Sequence, residues 1–333
     1  MKAWVRRMSA PAKAITLPTG SWSLPEKCFW AMAVACYFIF PNYRAFGSHV
    51  LVMALFALSL DLILGYAGIV SLGHAAFFGL GAYGAGILAA RGWSEPISAL
   101  LLATTLAGLA GYVISFLLLR AGDLARMMIT LGVASLLYEA ANQLPGLTGG
   151  ANGLQGAATS PLLGHFEFDI YGNTAYAYSL AVLFVAFAIV RRIINAPAGL
   201  FLTGIRANAL RMQALGVPVP DRMRFAFTIG AALAGTAGAL LAQTTQFVGL
   251  DVFGVGRSAD VLTMLVLGGA GWLYGGLVGA TGFLLIHEFL SNLNPIYWQF
   301  WMGIVLILVV LLARGGIGGI GQRMSHMLNR SLK

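Results

Sequence analysis

Six ionisable side chains stand within or at the ends of long apolar runs: Asp61, His74, Glu139, Asp260, His287 and Glu288. Such groups are costly in hydrocarbon, so they face a protein interior, a partner or water. The chemistry open to them is ion pairing, hydrogen bonding or ion handling. They lack the arrangement of a proton relay, and several fall near run ends, where water reaches. Asp61, Asp260, His287 and Glu288 therefore read as satisfied structural groups. His74 stands apart, because it lies in residues 65–86 with Ser71 and seven glycines. Small residues mark close helix contacts in membranes. We expect Gly65, Gly68, Ser71, Gly73 and His74 to form a packing surface in or beside a path through the membrane. His74 would be hydrogen-bonded near the inner gate, and Gly268 and Gly269 would belong to the same surface.

Catalytic motifs are missing. Gly79-Leu80-Gly81-Ala82-Tyr83-Gly84 has the spacing of a dinucleotide loop, but no strand precedes it, so helix packing is the reading. A P-loop needs Gly-Lys-Ser or Gly-Lys-Thr. The lysines are Lys2, Lys13, Lys27 and Lys333, and none follows a glycine. The chain is not expected to be an enzyme or to bind a cofactor or metal; if ATP drives it, another chain hydrolyses the ATP. Cys28 and Cys36 share one apolar run and read as small core residues, not as a disulfide or metal pair.

The elements that must carry these residues follow from composition. The 333 residues are 59% hydrophobic and only 9% charged, against about a quarter charged in soluble domains. The apolar runs are continuous rather than alternating, so they predict helices, each needing roughly 20 residues to cross the bilayer. The fold class is an all-α polytopic membrane protein. Ten runs are visible, near 28–40, 47–64, 71–90, 97–119, 126–142, 172–190, 225–247, 259–273, 275–291 and 297–313. The pair at 259–291 is short for two full crossings and rich in glycine. It fits two short helices or a re-entrant pair. A signal peptide is a competing reading of the basic start, since Ala33-Val34-Ala35-Cys36 resembles a poor lipoprotein cleavage box. The many runs that follow favour a retained first helix.

Basic residues collect on the cytoplasmic side of membrane proteins. With the N-terminus inside and ten crossings, 17 of the 20 Lys and Arg residues fall inside. They are Lys2, Arg6, Arg7, Lys13, Lys27, Arg120, Arg126, Arg191, Arg192, Arg206, Arg211, Arg222, Arg224, Arg314, Arg323, Arg330 and Lys333. Only Arg44, Arg91 and Arg257 remain outside. The net charge of +9 thus reads as orientation, not as nucleic-acid binding. This divides the chain into a cytoplasmic segment at 1–27, a transmembrane domain at 28–313 and a cytoplasmic tail at 314–333. The domain includes an outer loop at 143–171 and an inner loop at 191–224. In the inner loop, Phe201, Ile205, Met212 and Leu215 recur at helical spacing, and Gly216 follows as a stop. Such a helix either lies on lipid headgroups or docks in a partner's groove.

Six ordered blocks resemble the M-type permease subunit of branched-chain amino acid ABC importers, over nearly the whole chain. Leu64-Gly65-Tyr66-Ala67-Gly68 with Val70-Ser71-Leu72-Gly73-His74-Ala75-Ala76-Phe77 is similar to that family's most typical block. Leu147-Thr148-Gly149-Gly150-Ala151-Asn152-Gly153-Leu154 resembles its outer-loop motif, and Ile205-Arg206-Ala207-Asn208 with Ala214-Leu215-Gly216 its coupling segment. Ala234-Gly235-Thr236-Ala237-Gly238-Ala239-Leu240 and the glycines from Gly268-Gly269 to Gly279 continue the match, and Tyr297-Trp298 with Gly303 resembles the last span.

The resemblance implies a multi-pass protein of the bacterial inner membrane. A second, different permease subunit would complete the pathway. Two cytoplasmic ATPase subunits would use the ATP, and a periplasmic substrate-binding protein would deliver the substrate. Arg206, Arg211, Leu215 and Gly216 would couple to the ATPase, and Thr148, Gly149, Gly150 and Asn152 would face the binding protein. Where the family often has acidic residues, this chain has Ala207, Ala209 and Gln213, which leaves the coupling contacts to Arg206, Arg211 and apolar packing. Ile69 and Trp272 also depart from the pattern. Permeases for urea and short amides share these motifs. From the residues alone, a stand-alone secondary transporter or channel is the competing class.

Overall fold

The computed structural model describes residues 24–312 except 157, 158, 163 and 170. The parts of the expected terminal segments at 1–23 and 313–333 lie outside the described residues. Helix α1 (Leu24–Ile39) leads through one 3-10 turn to α2 (Arg44–Leu60), which continues as a π-helical turn, Asp61–Tyr66. Then come α3 (Ala75–Ala90), α4 (Pro96–Leu118), α5 (Asp123–Gln143) and the single turn α6 (Pro145–Thr148). They are followed by α7 (Asn173–Asn195), α8 (Pro197–Ala207), α9 (Ala209–Ala214) and α10 (Val219–Thr245). The last three are α11 (Val255–Gly268), α12 (Gly275–Leu293) and α13 (Trp298–Leu312). Among the described residues there is no strand, only isolated bridges.

Six helices are long and apolar enough to cross a membrane: Pro41–Tyr66, Pro96–Leu118, Asp123–Gln143, Asn173–Asn195, Val219–Thr245 and Gly275–Leu293. Ala75–Ala90 and Trp298–Val309 are apolar but shorter. At 1.5 Å per residue α11 extends about 21 Å, less than the roughly 30 Å of hydrocarbon. The region at 259–291 is therefore two helices, the first one short, joined by irregular chain at 269–274.

Helices α2 and α10 form the centre. The first packs against α7, α10, α11 and α12, and the second against α2, α3 and α4. Residues 51–60 of α2 are buried without a polar stripe, the pattern of a helix enclosed on all sides. Helix α10 presents small residues from Gly230 to Ala239, and Gly235 lies directly against the backbone at Gly81 of α3. Side chains that small let van der Waals packing hold helices together in lipid.

The loops gather at two ends. At one, Glu26 of α1 pairs with Arg191 of α7 at 2.9 Å, Arg206 of α8 reaches Gly65, and Gly271 reaches Asp61. At the other, Leu154 bridges Val248, Ser94 meets Ser160, and Gln243 donates to the Pro96 carbonyl at 2.7 Å. The first end is the basic one.

Three local expectations change. The helix expected at 71–90 begins at Ala75, so Ser71 to His74 form irregular buried chain. Its free N–H groups are taken by neighbours: Leu72 donates to Thr130 Oγ1 (3.3 Å) and Ala75 to Ser258 Oγ (3.0 Å). The single amphipathic helix expected through Phe201 and Leu215 is broken at Asn208, which is extended and caps α9 by accepting the Arg211 N–H at 2.9 Å. Cys28 and Cys36 are free thiols, exposed and half-buried, and so not core residues. Helix α1 packs mainly on α7, which leaves much of its surface uncovered.

Candidate functional site

The polar centre of the basic end is built where α2 stops being an α-helix. The π turn, a deformation frequent at functional sites, carries Asp61, which is fully buried. Its Oδ1 accepts the N–H of Gly271 at 2.7 Å, while Oδ2 has no partner. One turn on, the Gly65 carbonyl accepts from Arg206 Nη1. A Cβ at Gly65 would overlap Asp61 Oδ1 and stand 2.6 Å from Gly271 N, so only glycine lets the three segments meet. The Cβ position of Gly68 lies 3.0 Å from Arg206 Cγ, so that side chain runs along the turn. Arg206 is also the cation that faces Asp61. Hydrogen bonds to charged groups contribute about 1.5–3 kcal/mol each, and a buried polar atom left unpaired costs about as much. The junction is thus held firmly while Asp61 keeps one unused acceptor.

His74 and Ser71 lie beside this junction, both buried. His74 Nε2 is 2.8 Å from Ser59 Oγ, and that hydroxyl is 2.6 Å from the Phe56 carbonyl. The hydroxyl has one proton to give the carbonyl, so Nε2 donates to Ser59. The imidazole also stacks on Phe56, with ring centroids 5.4 Å apart. Ser71 Oγ has no partner. Gly73 packs on the Thr130 backbone, and Gly268 on the Gly275 carbonyl. Gly269 is buried in the adjoining turn. Gly68 is exposed, and Gly73 and Gly268 pack against different neighbours, so their positions alone leave a shared surface open.

The α8–α9 segment is anchored by buried Leu202 and Ile205. Beyond the break at Asn208 it turns outward: Arg211 is exposed, and Leu210 and Leu215 are 79% and 71% exposed. Gly216 sits at φ +81°, with no neighbour at its Cβ position.

At the opposite end, Thr148 is buried, and its hydroxyl meets the carbonyls of Ala141 and Leu144. Gly149 (φ +78°) and Gly150 (φ +57°) turn the chain, and Asn152 is exposed. The motif is clamped to the rest of the bundle by the Leu154–Val248 bridge (2.8 and 3.2 Å).

Of the other ionisable residues, Glu139 accepts from Gln143 at 2.6 Å and Glu288 from Asn292 at 3.3 Å. His287 touches the Trp298 ring at 4.3 Å. Asp260 has no hydrogen bond or ion pair among the described residues, unlike the satisfied group expected from its position. Sequence reasoning also missed the joining of Arg206 to Gly65, 141 residues away. One signal was available: an Asn three residues before Arg211, a common N-cap type, marks the break that sets Arg206 at a helix end.

An all-helical bundle with apolar helices of this length defines a multi-pass membrane protein. Residues 45–310 match the family model described as branched-chain amino acid transport system / permease component, and the chain belongs to that permease family. It is 25% identical over 335 residues to the high-affinity branched-chain amino acid transport system permease protein LivM of Salmonella typhimurium, covering 92% of this chain and 78% of that one. It is also 25% identical over 283 residues to LivM of Escherichia coli, covering 78% of this chain and 66% of the relative. No solved structure matches it.

Proposed function

We propose that this chain is the membrane-spanning permease subunit of an ABC importer for branched-chain or other hydrophobic amino acids. Its inner-membrane domain holds about ten helices, with short or re-entrant ones near 259–291, and both termini lie in the cytoplasm. The basic end is then the cytoplasmic one: among the described residues it holds Lys27, Arg120, Arg126, Arg191, Arg192, Arg206, Arg211, Arg222 and Arg224. The opposite end keeps Arg44, Arg91 and Arg257.

The observation that carries the reading is the bond from Arg206 to the Gly65 carbonyl. A segment with exposed leucines outside the bundle is tied to the π turn of its most enclosed helix. An ATPase subunit that grips Leu210, Arg211 and Leu215 would move Arg206, and Arg206 would move the end of α2. Apolar anchors on a short helix suit a partner's groove. This favours ATPase docking over a helix resting on lipid headgroups, because Leu210 and Leu215 are exposed beyond the break at Asn208 while Leu202 and Ile205 anchor the segment in the bundle. A second permease subunit completes the pathway, and a binding protein approaches the Thr148–Asn152 loop. His74 and Ser71 position helices near the inner gate.

The test is uptake of labelled leucine and labelled urea by cells with and without the gene. Loss of leucine uptake on deletion is expected. Loss of urea uptake alone would move the substrate class to urea and amides. No change in either would overturn the reading, as would ion-driven transport by the purified chain without any ATPase.

A further inference from the structure

Helix α1 joins the bundle mainly through α7, and the two leave a groove between them. One wall is α1 from Trp30 to Phe38, and the other is α7 from Tyr176 to Phe184. The helices run in opposite directions. Tyr37 therefore meets Tyr176, with ring centroids 5.7 Å apart, while Trp30 meets Phe184 at 4.9 Å. The walls are apolar, and the Tyr176 hydroxyl is itself spent on the Ala33 carbonyl at 2.7 Å. Ala31, Val34, Ala177 and Ala181 are exposed along it, so the groove opens sideways, away from the bundle.

Its two ends differ. At one, Trp30 also packs on Phe187 at 5.2 Å, and the rings close the groove. At the other stands Arg44, half-buried, just after the exposed turn Pro41–Tyr43 that separates two apolar helices. That is the level of lipid headgroups. The Arg44 guanidinium lies over the Tyr37 ring at 4.4 Å, and its Nε donates to the Tyr37 carbonyl at 3.0 Å. Its Nη1 donates to Asn173 Oδ1, three residues before Tyr176. Both walls thus converge on one cation. Its Nη2 makes no hydrogen bond, and Arg44 no ion pair, among the described residues. Asp169, the acid next to this cluster, is held instead by the backbone and amide N–H groups of Asn173, at 2.8 and 2.5 Å.

The dimensions select the occupant. Residues 30–38 and 176–184 each cover about 12 Å at 1.5 Å per residue. One leaflet of hydrocarbon is close to that, roughly 15 Å, or half of the core. Over this length a cavity of about 480 Å³ is about 7 Å across, too narrow for a neighbouring helix about 10–12 Å wide. A single hydrocarbon chain fits the width, the depth and the apolar walls. Arginine at the mouth adds the second requirement, because a guanidinium donor matches phosphate oxygens. A neutral chain would leave that donor unused.

We propose that the α1–α7 groove is a phospholipid site, with one acyl chain between the two helices and the phosphate on Arg44. The lipid fills the space that α1 leaves and fastens this sparsely packed helix to α7. The site needs only the multi-pass fold. Placing it in the outer leaflet rests on the proposed orientation, since Arg44 lies at the end opposite the basic one.

The full-length chain in dodecyl maltoside micelles is given trace phosphatidylglycerol carrying a diazirine midway along one acyl chain. After irradiation, labelled peptides are mapped by mass spectrometry. Residues 31–38 and 176–184 should take at least fivefold more label than the stretch of α4 that bears exposed Leu101, Leu109 and Val113. A diacylglycerol with the same labelled chain and no phosphate should show at least fivefold less of that excess. Arg44→Gln should bring phosphatidylglycerol down to the diacylglycerol level. Ala181→Phe, which fills the groove from an exposed position, should remove the excess for both probes. Even labelling of the groove and α4 in the unaltered chain overturns the site and leaves only unspecific lipid contact. Label on α4 with none in the groove also overturns it, and points to a groove filled by another stretch of protein. Equal labelling by the two probes removes the phosphate from Arg44 and overturns the proposal, as does an unchanged excess in both variants. The unaltered-chain map decides the matter even where Arg44→Gln does not fold.

Discussion

Asp61 and Asp260 are the same residue type on two helices of one bundle that pack on each other, and their surroundings differ at every point. Asp61 has no exposure; a backbone N–H holds one oxygen, a guanidinium stands nearby, and glycine at 65 and 271 draws three segments around it. Asp260 is half-exposed and unpaired among the described residues. A sealed acid with fixed partners holds together the elements it joins. The contrast is between an acid fixed among backbone groups and one that has neither a hydrogen bond nor an ion pair among the described residues.

The strongest way to break the sealed side is Gly65→Val. The added carbons would displace Asp61 from Gly271, a cost on the order of 3 kcal/mol by overpacking. Size-exclusion profiles of detergent-solubilised protein after heating should show most of the variant aggregated at temperatures the unaltered chain survives. An unchanged melting profile would mean the three segments are not packed as described. Asp61→Ala comes next, because it leaves the half-buried Gly271 N–H without its acceptor, a loss of about 1–3 kcal/mol. The same assay should rank it below Gly65→Val.

Gly216→Leu sharpens the contrast without touching the core. Its left-handed backbone costs a residue with a Cβ about 1–2 kcal/mol, and open space around it excludes a clash. Membrane levels should hold while leucine uptake falls severalfold. Uptake at the original level would show that the α9 terminus does not need its turn. The smallest effect is expected from Thr148→Val at the opposite end, where a hydroxyl shared by the Ala141 and Leu144 carbonyls is lost. About 1 kcal/mol of stability is at stake, readable as a shift of a few degrees in melting temperature. A loss of all folded protein would mean that this loop is not the locally clamped element described.

Much of the bundle is legible in the residues because hydrocarbon imposes a simple demand: long apolar runs become helices that satisfy their own backbone groups. The breaks are less legible. Residues 71–74 lie inside a long apolar run, yet they are held in irregular form by Thr130 and Ser258, hydroxyls 58 and 183 residues away from the groups they accept. No local pattern contains such contacts. The α8–α9 break was locally encoded in Asn208, but the recurrence of Phe201, Ile205, Met212 and Leu215 at helical spacing outweighed it. For the sites, residue types in apolar runs pointed to Asp61, His74, Asp260 and His287 as positions of interest. They could not tell the sealed acid from the open one, since that depends on glycine backbones and on an arginine distant in sequence.

The central claim is that Arg206 carries motion of the cytoplasmic segment into α2. It is tested most directly by Arg206→Glu in the assembled transporter, reconstituted in proteoliposomes with its ATPase subunits and binding protein. Leucine-dependent stimulation of ATP hydrolysis and ATP-driven leucine uptake are measured together, at matched amounts of permease in the membrane. Both should fall at least tenfold, because a carboxylate cannot donate to the Gly65 carbonyl and would repel Asp61. Stimulation and uptake at the unaltered level would contradict the account.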